Sequence, residues 1–148
     1  MSMPIFNFRY THRVEYYETD AMRFAHHSHF IRWAEEARHR FFREAGFDWR
    51  LLEEQHGLML PVLFQSIQHF KAFHFDDIVR IDCILTKFNG VKMNFRYAFF
   101  LDGDDALYAL GMTKHGFLDR NYSPVALQRV APSAFYVLQD AYNKQANR

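Results

Sequence analysis

Glu15-Tyr16-Tyr17-Glu18-Thr19-Asp20-Ala21-Met22-Arg23-Phe24-Ala25-His26-His27-Ser28-His29-Phe30 closes an alternating strand, sets a carboxylate in a turn and opens a long amphipathic helix. Upstream, Tyr10, His12, Val14 and Tyr16 alternate with Thr11, Arg13 and Glu15, the period of a half-buried strand running from Phe8 to Tyr17. Downstream, Phe30, Trp33, Ala34, Ala37, Phe41 and Ala45 recur at helical spacing, so one face of a helix is apolar, with Arg32, Glu36, His39 and Arg43 opposite. Ser28 is placed to cap this helix and Gly46 to end it in a left-handed conformation. A lone aspartate between strand and helix is ordinarily a turn residue. Asp20 therefore takes its meaning from its neighbours.

Working outward, Phe47 to His56 reads as a short helical turn and loop, and Leu58 to Phe70 as a strand with Pro61 at its start or edge, where a missing N–H does least harm. Val79, Ile81, Cys83 and Leu85 alternate with Arg80, Asp82, Ile84 and Thr86, and Asn89-Gly90 supplies a hairpin turn. Val91, Met93, Phe95, Tyr97, Phe99 and Leu101 form the cleanest period-two run, and a last strand covers Ala106 to Leu118. Short loops between these strands imply an antiparallel meander. The pattern predicts an α+β domain in which a sheet of about five to six strands wraps one long central helix. A single domain over 1–148 is expected, with a core at about 8–125. An arm and short helix follow at 126–148, capped by Ser133 and carrying Phe135, Leu138 and Tyr142.

At 148 residues, with 49% hydrophobic and 24% charged residues, the composition is that of a folded globular domain and excludes disordered and low-complexity classes. A net charge of +1 with interspersed signs gives no extended basic field for nucleic acid or anionic lipid. Single cations such as Arg23, Lys87, Lys92 or Arg120 can still hold a phosphate. Cys83 is the only cysteine and forms no internal disulfide. Met1-Ser2-Met3-Pro4 lacks a basic region with an apolar run, and no apolar segment reaches the ~20 residues of a membrane span, so a cytoplasmic protein is expected. His26, His27 and His29 read as capping and packing residues rather than metal ligands, because no second His/Cys cluster follows. The phenylalanines Phe64, Phe70, Phe73 and Phe75 read as core before pocket lining.

Tyr17-x-Thr19-Asp20-Ala21, then His27-x-x-Phe30, then Trp33-x-Glu35-Glu36-Ala37-Arg38 resembles the opening segment of 4-hydroxybenzoyl-CoA thioesterase-like acyl-CoA thioesterases, built on the hotdog fold. Phe70 with Phe75-Asp76-Asp77, and Thr113-Lys114-His115, extend the resemblance over residues 8 to 125. It implies hydrolysis of a small, medium or aromatic acyl thioester, with coenzyme A as part of the substrate and no separate cofactor. Asp20 would be nucleophile or general base, and the His27 backbone N–H the oxyanion donor. Glu35 or Glu36 would be a rival carboxylate, and Arg23, Phe24, Glu35, Thr113 and His115 would face the substrate. An acyl carrier protein as carrier, a hydratase, or a binding protein without turnover are the alternatives. Met22 and Arg23 stand where the family usually has glycine, so Arg23 is expected to narrow or read the substrate. Glu35 and Arg38, three apart, are spaced for an ion pair. The resemblance also implies a homodimer, pairing again in some cases to a tetramer, with each site at the seam between subunits.

Overall fold

The computed structural model describes residues 8–146, so Met1-Ser2-Met3-Pro4 lies outside the described residues. Strand β1 (Phe8–Arg13) alternates half-buried and exposed residues as its period predicts, but it ends short of Tyr17. Its continuation is diverted because the Val14 N–H donates to the Asp77 carbonyl, after which Glu15 and Glu18 form a capping box around a 3-10 turn at Tyr16–Glu18.

Helix α1 (Ser28–Glu44) buries Phe30, Trp33, Ala34, Ala37 and Phe41 as the spacing predicts, and also His29, Arg38 and Phe42. The stripe is wider than the sequence pattern because the helix lies in the concavity of a curved sheet. Ser28 is not the cap: His27 occupies that position with helical dihedrals, φ −57 and ψ −29. The Ser28 hydroxyl instead meets His26 Nδ1 at 2.9 Å. Gly46 follows the helix at φ +82, the left-handed geometry expected of it. A second helix, α2 (Trp49–His56), is capped by Asp48, whose carboxylate accepts the Leu51 N–H.

Strands β2 (Val62–His69), β3 (Ile78–Phe88), β4 (Lys92–Leu101) and β5 (Leu107–Gly116) join β1 in one antiparallel sheet of order β1-β3-β4-β5-β2. Pro61 immediately precedes β2, which lies at an edge. The turn at Asn89-Gly90 is held by the Asn89 side chain, which accepts from the N–H groups of Val91 and Lys92. Met93, Phe95, Tyr97 and Phe99 of β4 and Val79, Ile81, Cys83 and Leu85 of β3 are buried, forming with α1 one core. The Phe95 ring centroid lies 5.6 Å from that of Phe41 and 5.8 Å from that of Phe42. One long helix held by a curled antiparallel sheet of five strands is the hotdog architecture.

The C-terminal segment is more ordered than the sequence suggests. After α3 (Leu127–Val130) comes α4 (Pro132–Ala146), fifteen residues rather than a short helix. Pro132 takes the first helical position, suiting a residue with no N–H, so Ser133 lies inside the helix and does not cap it. Leu127, Phe135 and Leu138 are buried in the common core. None of the described helices is long and apolar enough to cross a membrane.

Candidate active site

Asp20 lies in the loop between the 3-10 turn and α1, and the loop is tied to itself. The Asp20 N–H donates to the Phe24 carbonyl (3.2 Å), the Arg23 N–H to the Asp20 carbonyl (2.9 Å), and the Met22 N–H to Asp20 Oδ1 (2.8 Å). Closing so tight a turn puts Arg23 at φ +67, a conformation favoured by glycine. The arginine thus holds a backbone conformation that suits glycine, at the cost of local strain.

Beneath the loop is a buried carboxylate that sequence reading did not single out. Glu18 Oε1 accepts from the Glu15 N–H (2.7 Å) and meets His12 Nε2 (2.8 Å), while Oε2 accepts from Trp33 Nε1 (2.8 Å). The Glu18 carbonyl accepts the His26 N–H (2.8 Å), and the Ala25 N–H reaches the Phe73 carbonyl (2.8 Å). Strand β1, the Asp20 loop and α1 are therefore fastened at one residue, β1 and α1 through its carboxylate and the loop through its backbone carbonyl. Burial pushes the Glu18 carboxyl up, but the donors from Glu15, His12 and Trp33 outweigh it and hold the group below its ordinary value. Burial pulls the neighbouring His29 imidazole down, opposed by the Glu18 charge. The only sequence signal was an indole near a turn that would need an acceptor.

Asp20, Phe24, His27, His69, Phe70 and Lys71 are among the residues that line an open cleft of ≈ 430 Å³. Around the α1 start, the His29 and Phe30 N–H groups donate to the His26 and His27 carbonyls, and the Ser28 N–H to His26 Nδ1. The His27 N–H has no acceptor among the described residues. It is an unpaired donor at the positive end of a seventeen-residue helix. Burial, with His27 nearby, lowers the His69 pKa and favours its neutral form. Lys71 adds a cation at the cleft, its ammonium 5.6 Å from the Tyr108 ring centroid.

Most of the remaining expected residues lie elsewhere. Arg23 is exposed and does not line the cleft, whereas Phe24 does. Glu35 is exposed on the α1 flank, 4.0 Å from His39 Nε2. No Glu35–Arg38 ion pair forms, because Arg38 turns inward and donates to the Tyr97 hydroxyl (3.0 Å). Thr113 Oγ1 bonds to that same hydroxyl (2.7 Å) and to His115 Nε2 (2.8 Å). Burial, reinforced by the Arg38 charge, pushes His115 down to about 3, so the imidazole is neutral. Phe73 is fully buried as expected of core, but Phe64, Phe70 and Phe75 are exposed, Phe70 at the cleft.

The fold, one helix held by a five-stranded antiparallel sheet, is of the hotdog type. The thioesterase-like superfamily model matches residues 14–135, and the chain belongs to this superfamily. A relative in Aquifex aeolicus named "Putative esterase" is 33% identical over 108 residues, covering 73% of this chain and 82% of that protein. Among solved structures, the DHNA-CoA thioesterase of Staphylococcus aureus superposes with a TM-score of 0.82 at 23% identity, covering 93% of this chain and 89% of that one. The 1,4-dihydroxy-2-naphthoyl-CoA thioesterase of Synechocystis does so with a TM-score of 0.78 at 18% identity, covering 89% and 97%. At these identities the two structures speak to the fold.

Proposed function

We propose that the protein is an acyl-CoA thioesterase in which the Asp20 carboxylate drives attack on the thioester carbonyl and the His27 N–H receives the oxyanion. The observation that carries this reading is the unpaired His27 N–H sharing one cleft with Asp20. As general base, Asp20 takes a proton from water as the water oxygen adds to the carbonyl carbon. The carbonyl electron pair moves to oxygen and is held by the His27 N–H and the helix dipole. Collapse breaks the C–S bond, and the departing sulfur takes up the proton. As nucleophile, Asp20 adds directly, the thiolate leaves, and water then hydrolyses the mixed anhydride. One preorganised oxyanion donor is worth ~3 kcal/mol of barrier in comparable sites.

Phe24, Phe30 and Phe70 line the cleft with aromatic surface suited to a small or aromatic acyl group, and Lys71 with Arg23 outside it supplies cations for coenzyme A phosphates. Glu35 is a poorer candidate. It stands eight residues beyond His27, about 12 Å along the helix axis, and outside the cleft.

The working unit is a homodimer paired through β2. Among the described residues that strand bonds only to β5, and Val62, Leu63 and Phe64 stand exposed on it. An apolar, unpaired edge is a liability that pairing removes. Because β2 leads directly into His69 and Phe70 of the cleft, a second copy there would supply a further wall.

The test is free-thiol release over a panel of short, medium and aromatic acyl-coenzyme A thioesters. Asp20→Asn, which keeps the shape and removes the charge, is expected to lower kcat/KM about 10²-fold or more with the fold intact. Near wild-type turnover of that variant would move the role to Glu35, Glu36 or elsewhere.

A further inference from the structure

Between α1 and β2 lies a second pocket of ≈ 100 Å³ that shares no lining residue with the Asp20 cleft. Ile31, Ala34, Val62, Ile67 and Met112 contribute apolar walls, and Arg38, Tyr97 and Thr113 its buried polar side. Arg38 is 6% exposed, and no carboxylate lies within ion-pair distance of it among the described residues. One terminal nitrogen donates to the Tyr97 hydroxyl, while Nε is buried without an acceptor and none is described for Nη2. The free edge of the guanidinium is therefore the Nε–Nη2 fork, the geometry that grips a carboxylate with two parallel hydrogen bonds.

Nothing beside that fork neutralises it. The Tyr97 hydroxyl, the Thr113 hydroxyl and the His115 imidazole hydrogen-bond among themselves. Burial keeps the first protonated and the last neutral. Cys83, close enough to feel the Arg38 charge, is likewise kept protonated by its burial. Glu35 lines the pocket but is itself exposed to solvent. A buried, unpaired cation with an unsatisfied Nε donor is costly, and a bound anion would relieve both faults.

We propose that this pocket is a ligand site for a short aliphatic carboxylate, with Arg38 as its counter-charge and the apolar walls holding two or three carbons. At ≈ 100 Å³ the pocket is sized for a small acid rather than a long chain. The carboxylate can belong to a free acid or to the far end of a carboxyl-terminated acyl group. The inference does not depend on the thioesterase reading, because binding is read without turnover.

The experiment follows the assigned Arg38 Nε–H resonance of the full chain by NMR during titration with butyrate, with butyramide and matched chloride as controls. Butyrate is expected to shift this resonance downfield and saturably, while butyramide and chloride leave it in place. Arg38→Met should weaken butyrate binding by at least about tenfold in calorimetry. Should that variant not fold, the wild-type resonance still decides. Succinyl-coenzyme A, titrated into Asp20→Asn protein, separates the sources: a shift with butyrate marks a free-acid site, and a shift with the thioester alone marks an acyl-end site. An Arg38 resonance that responds to neither, or that responds equally to butyramide, overturns the proposal.

Discussion

Glu18, rather than the aspartate two residues on, is where the loop at the candidate site is anchored. Replacing it with Gln keeps the shape but puts an amide N–H₂ against one of three donors, which should cost about 1–3 kcal/mol at neutral pH. The pH dependence has a definite sign. The folded carboxyl is held below the ordinary 4.5, so its stabilisation is complete above pH 4.5 and is lost as pH falls through the lower folded value. Denaturant melts of wild type and Glu18→Gln across pH should therefore converge below 4.5. A constant difference down to the acid limit would show that the charge is not what holds the loop. At Arg23 the backbone predicts the opposite outcome. Arg23→Gly relieves a left-handed arginine, so stability should be unchanged or raised by up to about 1 kcal/mol, and a loss of that size would mean the side chain makes a contact of its own. Asp20 and His27 were singled out by the family-like run around them, and the turn and helix start where they sit are local features. Glu18 and Arg38 were not legible, since whether a charged side chain turns inward depends on strands and helices brought together only by folding.

Elements with strong periods were read correctly, and errors gathered at their ends. The alternation of β4 survives intact because one face is fully buried, whereas β1 stops at Arg13 because Val14 finds its partner at Asp77, a residue far along the chain. The length of α4 was hidden for a similar reason: its apolar residues pack on a hairpin remote in sequence. Gly90 makes that connection testable. Its carbonyl accepts the Leu127 N–H at 2.8 Å, its φ is +84, and a Cβ there would lie 2.8 Å from Phe135 Cε1. Gly90→Ala should destabilise by about 1–2 kcal/mol, read as a lowered denaturant midpoint. For β2, Phe64→Glu places a charge on the unpaired edge and should convert dimer to monomer in light scattering. An unchanged molecular mass would exclude that edge as the seam.

For the molecule as a whole, histidines set the response to mild acid. His29, His39, His69 and His115 are all lowered from 6.5, chiefly by burial, and His115 to about 3. The unfolded chain then takes up protons first. Stability is complete above pH 6.5 and declines as pH falls below it, before the carboxylates contribute. His115→Gln should flatten that decline, and an equally steep slope in the variant would assign it to the other three. The topology was legible from loop lengths, but nothing local revealed that β1 and β2, separated in sequence by α1, end at opposite edges of the sheet.

Cys83 lies at the middle of β3, fully buried, with its thiol pushed up by burial and held in the unreactive protonated form. The native protein should therefore be silent toward chromogenic thiol reagents, and colour in a hydrolysis assay would come from released coenzyme A alone. The same silence makes the residue a clock. Since β3 is flanked by β1 and β4, labelling at Cys83 must wait for the sheet to open, and its rate at rising denaturant would report how often the whole domain comes apart.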